Sequence, residues 1–146
     1  MPKKPNVFLD TSALIAGVAS SKGAARAVLQ LAEVGLIEVI VSKQVIVEAD
    51  RNIEEKIPEM LNEYREFIKI LNPLLVDDPC QKECEKYLKV INSVDAPILA
   101  AAVGSGADFL ITWDKKHFMR KNIQTHSNFK IVTPGEFLKY FRKYIG

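Results

Sequence analysis

The chain has 146 residues, of which 48% are hydrophobic and 26% are charged, and its mean hydropathy is +0.02. This balance excludes a disordered chain, and no apolar run approaches the ~20 residues that a membrane-spanning helix requires. The net charge of +2 neither demands nor excludes a nucleic-acid partner. We therefore expect one globular domain over residues 1–146, with no secretory signal, no membrane partner and a cytoplasmic location.

Strand-like and helix-like segments alternate along the chain. The apolar run from Asn6 to Leu9 predicts a strand buried on both faces, and a helix from Ala13 to Ala19 follows it. The other predicted strands are residues 36–41, 74–76, 109–112 and 129–132. Helices are predicted at residues 24–34, around 45–49, at 58–71, 80–91 and 98–103, and from 134 onward. This alternation predicts an α/β fold with three α/β/α layers and a central parallel sheet of four to five strands.

Four acidic residues stand out by their positions. Asp10 ends the first strand, Asp114 follows the fourth strand, and Glu48 lies in the first turns of the helix after the second strand. Because ligands bind at the carboxyl ends of parallel strands, we expect these three side chains at one edge of the sheet. Asp95 precedes the buried helix at 98–103, and it reaches the same edge only if the long connection before it allows this.

Each acid also has a purely structural interpretation. Asp10 is suited to cap the next helix, and Asp95, taken alone, is better explained as an N-cap before a proline-bearing first turn. Glu48 is consistent with an exposed helix acid, although its neighbours are largely apolar, and Asp114 is consistent with a turn residue. The number of acids expected at one edge favours the functional interpretation.

Three or four carboxylates in one crevice imply a bound cation, because like charges held close together raise one another's pKa values. Carboxylates are hard oxygen ligands, which suit Mg²⁺ or Mn²⁺ rather than zinc. Such an ion activates water and neutralises the charge that builds on a phosphodiester during in-line attack. The acids therefore indicate a site able to support phosphodiester hydrolysis.

Each of the four acids lies in a recognisable sequence block, and the four blocks follow one another along the chain. They are VFLDTSAL at residues 7–14, a glutamate at 48, an aspartate at 95 before an Ala-rich helix, and LITWDKKHF at residues 110–118. In this order and spacing they resemble the PIN domain family, the nucleases that include the VapC-type toxins of toxin–antitoxin pairs. The resemblance extends from about Asn6 to Tyr140, and it implies a PIN-like fold and a metal-dependent endoribonuclease.

The resemblance also implies roles for individual residues. Carried over by position, it assigns catalysis and the binding of Mg²⁺ or Mn²⁺ to an acidic quartet, Asp10, Glu48, Asp95 and Asp114. It assigns supporting roles to three hydroxyl residues, Thr11, Ser12 and Thr112. Many members carry a further acid shortly after the fourth position, where this chain has Lys116 and His117. The resemblance therefore leaves open whether the site binds one metal ion or two.

An RNA substrate, expected to be single-stranded, needs basic residues around the acids. The candidates follow the last acid and are Lys115, Lys116, Arg120 and Lys121. A solvated helix face explains these cations equally well. Trp113 is a candidate for stacking on a base, but packing at the rim explains it better. As family members often pair, we expect a homodimer or higher oligomer. A toxin would have an antitoxin partner, and an RNA-processing nuclease would not.

Two other functions compete with the nuclease. The first is a PIN-like module that binds RNA or protein and cleaves poorly. Loss of acids from the quartet would favour such a binding module, but all four acids are present. A phosphatase of the haloacid dehalogenase type also begins with a strand that ends in Asp. That class needs a second Asp two residues later, where this chain has Ser12.

Overall fold

Five parallel strands form the central sheet. They are β1 (Asn6–Leu9), β2 (Glu38–Ser42), β3 (Leu74–Val76), β4 (Phe109–Ile111) and β5 (Lys130–Val132). Their order across the sheet is β3-β2-β1-β4-β5, and every neighbouring pair is parallel. The structure is a computed structural model that describes residues 4–114, 118 and 129–145. It confirms the predicted three-layer α/β/α fold with a parallel sheet.

The helices cover both faces of this sheet. In the described residues they are α1 (Thr11–Ala19), α2 (Ala24–Glu33), α3 (Lys43–Lys56), α4 (Leu61–Leu71), α5 (Gln81–Glu85), α6 (Ala96–Gly104) and α7 (Pro134–Ile145), and a 3₁₀ turn (Pro58–Met60) precedes α4. Helix α1 packs on α2 and α3, whereas α6 packs on α5 and β2. None of the helices in the described ranges is both long enough and apolar enough to cross a bilayer.

The core follows from the apolar strands. Val7 and Phe8 of β1 and Leu110 of β4 are fully buried, because helices cover both sheet faces. Helix α6 is buried along most of its length, as its uniformly apolar sequence predicts. At the sheet edge, Leu74 and Leu75 of β3 remain half exposed.

The strand order creates a switch point between β1 and β4. The chain builds β1, β2 and β3 outward on one side, and then crosses to build β4 and β5 on the other. Leu9 lies opposite Ile111, and the next backbone N–H, that of Asp10, donates to the Ile111 carbonyl at 3.2 Å. In open parallel sheets, ligands bind in the crevice at such a switch point. The ends of β1 and β4 therefore define where a site is expected.

One predicted helix is wrong in extent. The sequence predicts a helix over residues 80–91, but α5 ends at Glu85. The chain continues in turns with i−3 hydrogen bonds, from Tyr87 N–H to Cys84 and from Val90 N–H to Tyr87. Among the apolar side chains of this segment, Leu88 remains 48% exposed, whereas Val90 and Ile91 are buried. The turns bring Val90 and Ile91 into the core instead.

Candidate active site

All four members of the acidic quartet line one cleft at the carboxyl edge of the sheet. The cleft has a volume of about 420 Å³ and lies at the switch point between β1 and β4. Asp10 follows β1, Asp114 follows β4, Glu48 lies in the second turn of α3, and Asp95 immediately precedes α6. The structure therefore brings together residues from four separate elements of the fold.

Asp10 is the most buried of these acids, with 3% of its surface exposed. Its Oδ1 accepts the Ala13 backbone N–H at 2.9 Å and the Ser12 hydroxyl at 2.8 Å, and its Oδ2 accepts the Thr112 hydroxyl. Burial and, to a smaller extent, the nearby charge of Asp114 raise the pKa of Asp10 to about 6, although these hydrogen bonds lower it. Asp10 thus both caps α1 and lines the cleft.

Glu48 is held by one hydrogen bond on each carboxylate oxygen. The Thr11 hydroxyl donates to Oε2 at 2.9 Å, and the Gln44 side-chain amide donates to Oε1 at 2.8 Å. The same amide of Gln44 donates to the Val94 carbonyl at 3.3 Å. Gln44 therefore joins α3 to the segment just before Asp95. Sequence reasoning missed it, although its position one turn before Glu48 on the same helix was a usable signal.

Asp95 occupies the N-cap position of α6, as predicted, but its side chain does not cap the helix. Its side chain makes no capping hydrogen bond, and its backbone is already helical, with φ −89° and ψ −17°. Asn92 organises this turn instead, because its Oδ1 accepts the Val94 and Asp95 N–H groups, each at 2.9 Å. The Asn92 amide also donates to Asp95 Oδ2 at 2.7 Å. With the turn satisfied by Asn92, the Asp95 carboxylate lines the cleft.

Hydroxyl groups connect the end of β1 to the end of β4. Thr112 is fully buried; its hydroxyl donates to Asp10 and accepts the Asp114 backbone N–H at 2.8 Å. The Ser12 hydroxyl, which donates to Asp10, accepts the Trp113 N–H at 3.1 Å. Thr112, Ser12 and Thr11 thus each contact a quartet carboxylate or the backbone beside one.

This chain shares its sequence pattern with a known family over most of its length. The profile of the PIN domain matches residues 6–116. The chain belongs to the PIN domain family. The resemblance predicted from the sequence blocks is therefore confirmed, and the family is one of nucleases. No curated protein sequence matches the chain significantly.

Solved PIN-like structures share the fold at low sequence identity. A DNA-bound VapBC from Salmonella typhimurium matches at 14% identity with a TM-score of 0.63, over 89% of this chain and 98% of that one. PAE2754 from Pyrobaculum aerophilum matches at 16% identity and a TM-score of 0.60, over 93% and 95%. VapC20 from Mycobacterium tuberculosis matches at 17% identity and a TM-score of 0.52, over 71% and 86%. At these identities the likeness shows the fold.

The donor set of this PIN domain fits a hard divalent cation. Among the described residues, the charged groups on the cleft wall are the quartet carboxylates and the ammonium of Lys56, and carboxylate oxygens are the ligands that Mg²⁺ and Mn²⁺ prefer. The raised pKa of Asp10 shows that its negative charge is poorly compensated in the protein alone. A cation would relieve that cost. No three His, Cys, Asp or Glu side chains of the described residues are already gathered as a metal site.

Some predicted site residues are not among those the structure describes, and the sequence analysis missed others. The RNA-binding candidates lie outside the described residues; they are Lys115, Lys116, Arg120 and Lys121. Trp113 is 48% exposed and does not itself line the cleft, and its predicted packing at the rim stays a prediction. Two further residues of α3, Asn52 and Lys56, line the cleft of this PIN domain. The signal for them was their spacing of four and eight residues from Glu48.

Proposed function

We propose that the protein is a metal-dependent endoribonuclease that hydrolyses RNA phosphodiester bonds. The observation that carries this proposal is the convergence of the whole acidic quartet on one cleft at the switch point. Membership of a nuclease family supports it. VapC20, which shares the fold, is a Sarcin-Ricin loop cleaving toxin, and this supports RNA as the substrate class.

The quartet carboxylates would hold Mg²⁺ or Mn²⁺. When bound, the ion supplies a more acidic water and neutralises charge on the phosphodiester. The chain's own contribution is to fix the ligands. Thr112 and Ser12 hold Asp10, Thr11 and Gln44 hold Glu48, and these hydrogen bonds restrict each carboxylate to one orientation. Such restriction is what a catalytic metal site requires of the residues around its ligands.

The direct test is cleavage of a mixed-sequence single-stranded RNA in Mg²⁺, in Mn²⁺ and in EDTA. We expect metal-dependent cuts that disappear in EDTA and in the variants Asp10→Asn and Glu48→Gln. The matched control is Glu54→Gln, which changes an exposed acid on the same helix outside the cleft and should cleave like wild type. RNA that is bound but never cut would contradict the nuclease and favour a binding module.

We also propose two protein partners, an antitoxin that covers the cleft and a second copy of this chain. The likeness to a VapBC structure supports the first. Co-expression with the products of neighbouring genes, followed by the cleavage assay, tests it. An inhibitory small protein that co-purifies would identify the chain as a toxin. Its absence, with cleavage intact, would favour an RNA-processing nuclease. Light scattering during gel filtration measures the oligomeric state.

A further inference from the structure

The cleft extends beyond the acidic quartet along one face of α3. Glu48, Asn52 and Lys56 follow one another at intervals of four residues, and all three line the cleft. Residues at this spacing lie on one side of a helix. At 1.5 Å rise per residue, Asn52 lies about 6 Å and Lys56 about 12 Å along the helix axis from Glu48. Ile15 and Ala16 of α1, which packs against α3, also line the cleft.

Lys56 brings a positive charge to the wall of the cleft. Among the described residues that line the cleft, it is the only cation. Lys43 pairs with Asp77 at 2.8 Å, and Arg65 pairs with Asp50 at 3.0 Å, whereas Lys56 forms no ion pair within the described part of the chain. Its side chain is exposed to solvent. Its ammonium group therefore lies at the cleft with no ion-pair partner among the described residues.

A positive group beside the quartet would offset the negative charge of the cleft. Four carboxylates with one divalent cation still carry a net negative charge, and they would repel the phosphates on either side of the bond to be cut. Asn52 offers an amide donor beside the quartet, and Lys56 offers a positive charge one helical turn further on. Together they provide the polar contacts that a nucleic-acid backbone needs.

We propose that Asn52 and Lys56 form a phosphate subsite that binds the RNA backbone next to the phosphodiester to be cut. This inference rests on the proposed ribonuclease function. The strand would run along the cleft face of α3, with the reacting phosphate at the quartet and a neighbouring phosphate at Lys56. The contact is with the backbone, so it carries affinity without sequence preference.

A structural role for Lys56 makes a different prediction. Lys56 lies in the last turn of α3, where a cation interacts favourably with the helix dipole. That role depends on position along the helix, so replacing Lys56 would change the unfolding midpoint and leave RNA affinity unchanged. The phosphate subsite predicts the reverse, a loss of RNA affinity that depends on salt.

The test measures binding of a labelled single-stranded RNA to the Asp10→Asn protein at several salt concentrations. Lys56→Ala should raise Kd by up to about fivefold and lower the slope of log Kd against log salt by about 0.7. Lys56→Arg should retain both values, and Asn52→Ala should raise Kd with a smaller change in slope. In active protein, Lys56→Ala should raise KM more than it lowers kcat.

The matched control is Arg51→Ala, which removes a cation from the same helix. Arg51 borders a different cavity, together with Val47 and Glu54, so its loss should leave Kd and slope unchanged. Equal affinity and equal slope for Lys56→Ala and Arg51→Ala, with wild type still cleaving RNA, would refute the subsite and leave the nuclease intact. If wild type neither cleaves nor binds RNA, both proposals fail. Thermal unfolding of each variant shows whether the fold is retained.

Discussion

The buried charge of Asp10 should destabilise the metal-free protein at neutral pH. Burial raises the pKa of this carboxyl from 3.8 to about 6, so the folded protein holds the proton more tightly than the unfolded chain. The stability contributed by Asp10 is then fully present below about pH 4 and is lost as the pH rises through about 6. A difference of about two pKa units corresponds to about 3 kcal/mol of unfolding free energy at about pH 8.

Asp10→Asn removes the charge and keeps most of the hydrogen bonds. The asparagine oxygen can still accept from Ala13 and Ser12, and its amide can donate to Thr112. The Thr112 hydroxyl must then turn to another acceptor, at a cost of about 1 kcal/mol. The variant should therefore be about 2 kcal/mol more stable than wild type at about pH 8, and no more stable at about pH 4.

Urea unfolding in EDTA, followed by far-ultraviolet circular dichroism at both pH values, measures this difference. Asp50→Asn is the control, because Arg65 lowers the pKa of Asp50 and its replacement should give no gain at either pH. A Mg²⁺ or Mn²⁺ concentration of 100 times Kd should add about 2.7 kcal/mol to wild type and not to Asp10→Asn. A variant Asp10→Asn that is less stable than wild type by the same amount at both pH values would refute the predicted effect of the buried charge.

Three further substitutions test the supports of the cleft and the packing beneath it. Gln44→Ala removes the amide that holds Glu48, so metal-dependent cleavage should fall at least tenfold; a cleavage assay decides. Thr112→Val removes one buried and one partly buried hydrogen bond and should lower the free energy of urea unfolding by about 1–3 kcal/mol, whereas Thr112→Ser should lower it less. Gly17→Ala should lower the unfolding free energy by about 1–3 kcal/mol, because the new methyl group would lie 2.5 Å from a side-chain carbon of α2. Gly104→Ala is the control, because a methyl group there meets nothing within 4 Å and should not lower the stability in this way.

Strand-end reasoning located three members of the quartet because parallel topology leaves few alternatives. Asp10 and Asp114 follow neighbouring parallel strands, and Glu48 follows the third strand in that group of neighbours, β2. Asp95 was harder to place. A helix that leads into a parallel strand must run back across the sheet, so α6 begins at the carboxyl edge, but this follows only once β4 is known to be parallel to β1. Its sequence context predicted the N-cap position correctly, but not that its side chain would line the cleft instead of capping the helix.

The cleft face of α3 has a signal in the sequence that the predicted helix was too short to reveal. Val45, Ala49 and Ile53 are buried at intervals of four, and each is preceded by a polar residue of the cleft face. The predicted helix stopped too early for this second stripe to be visible, because residues 50–56 are mostly charged. The extent of a polar helix depends on what its few apolar residues pack against, and that is tertiary information.

The central position of β1 has a consequence for how the protein comes into being on the ribosome. The first strand to be synthesised pairs with β2 early, but its other neighbour, β4, emerges only after residue 109. The Thr112 hydroxyl that holds Asp10 comes from 102 residues further along the chain. Domains form as units during synthesis, so a nascent chain lacking β4 has an open sheet and no assembled acid cleft. We therefore expect the proposed nuclease to gain activity only after the residues of β4 and Asp114 have been synthesised.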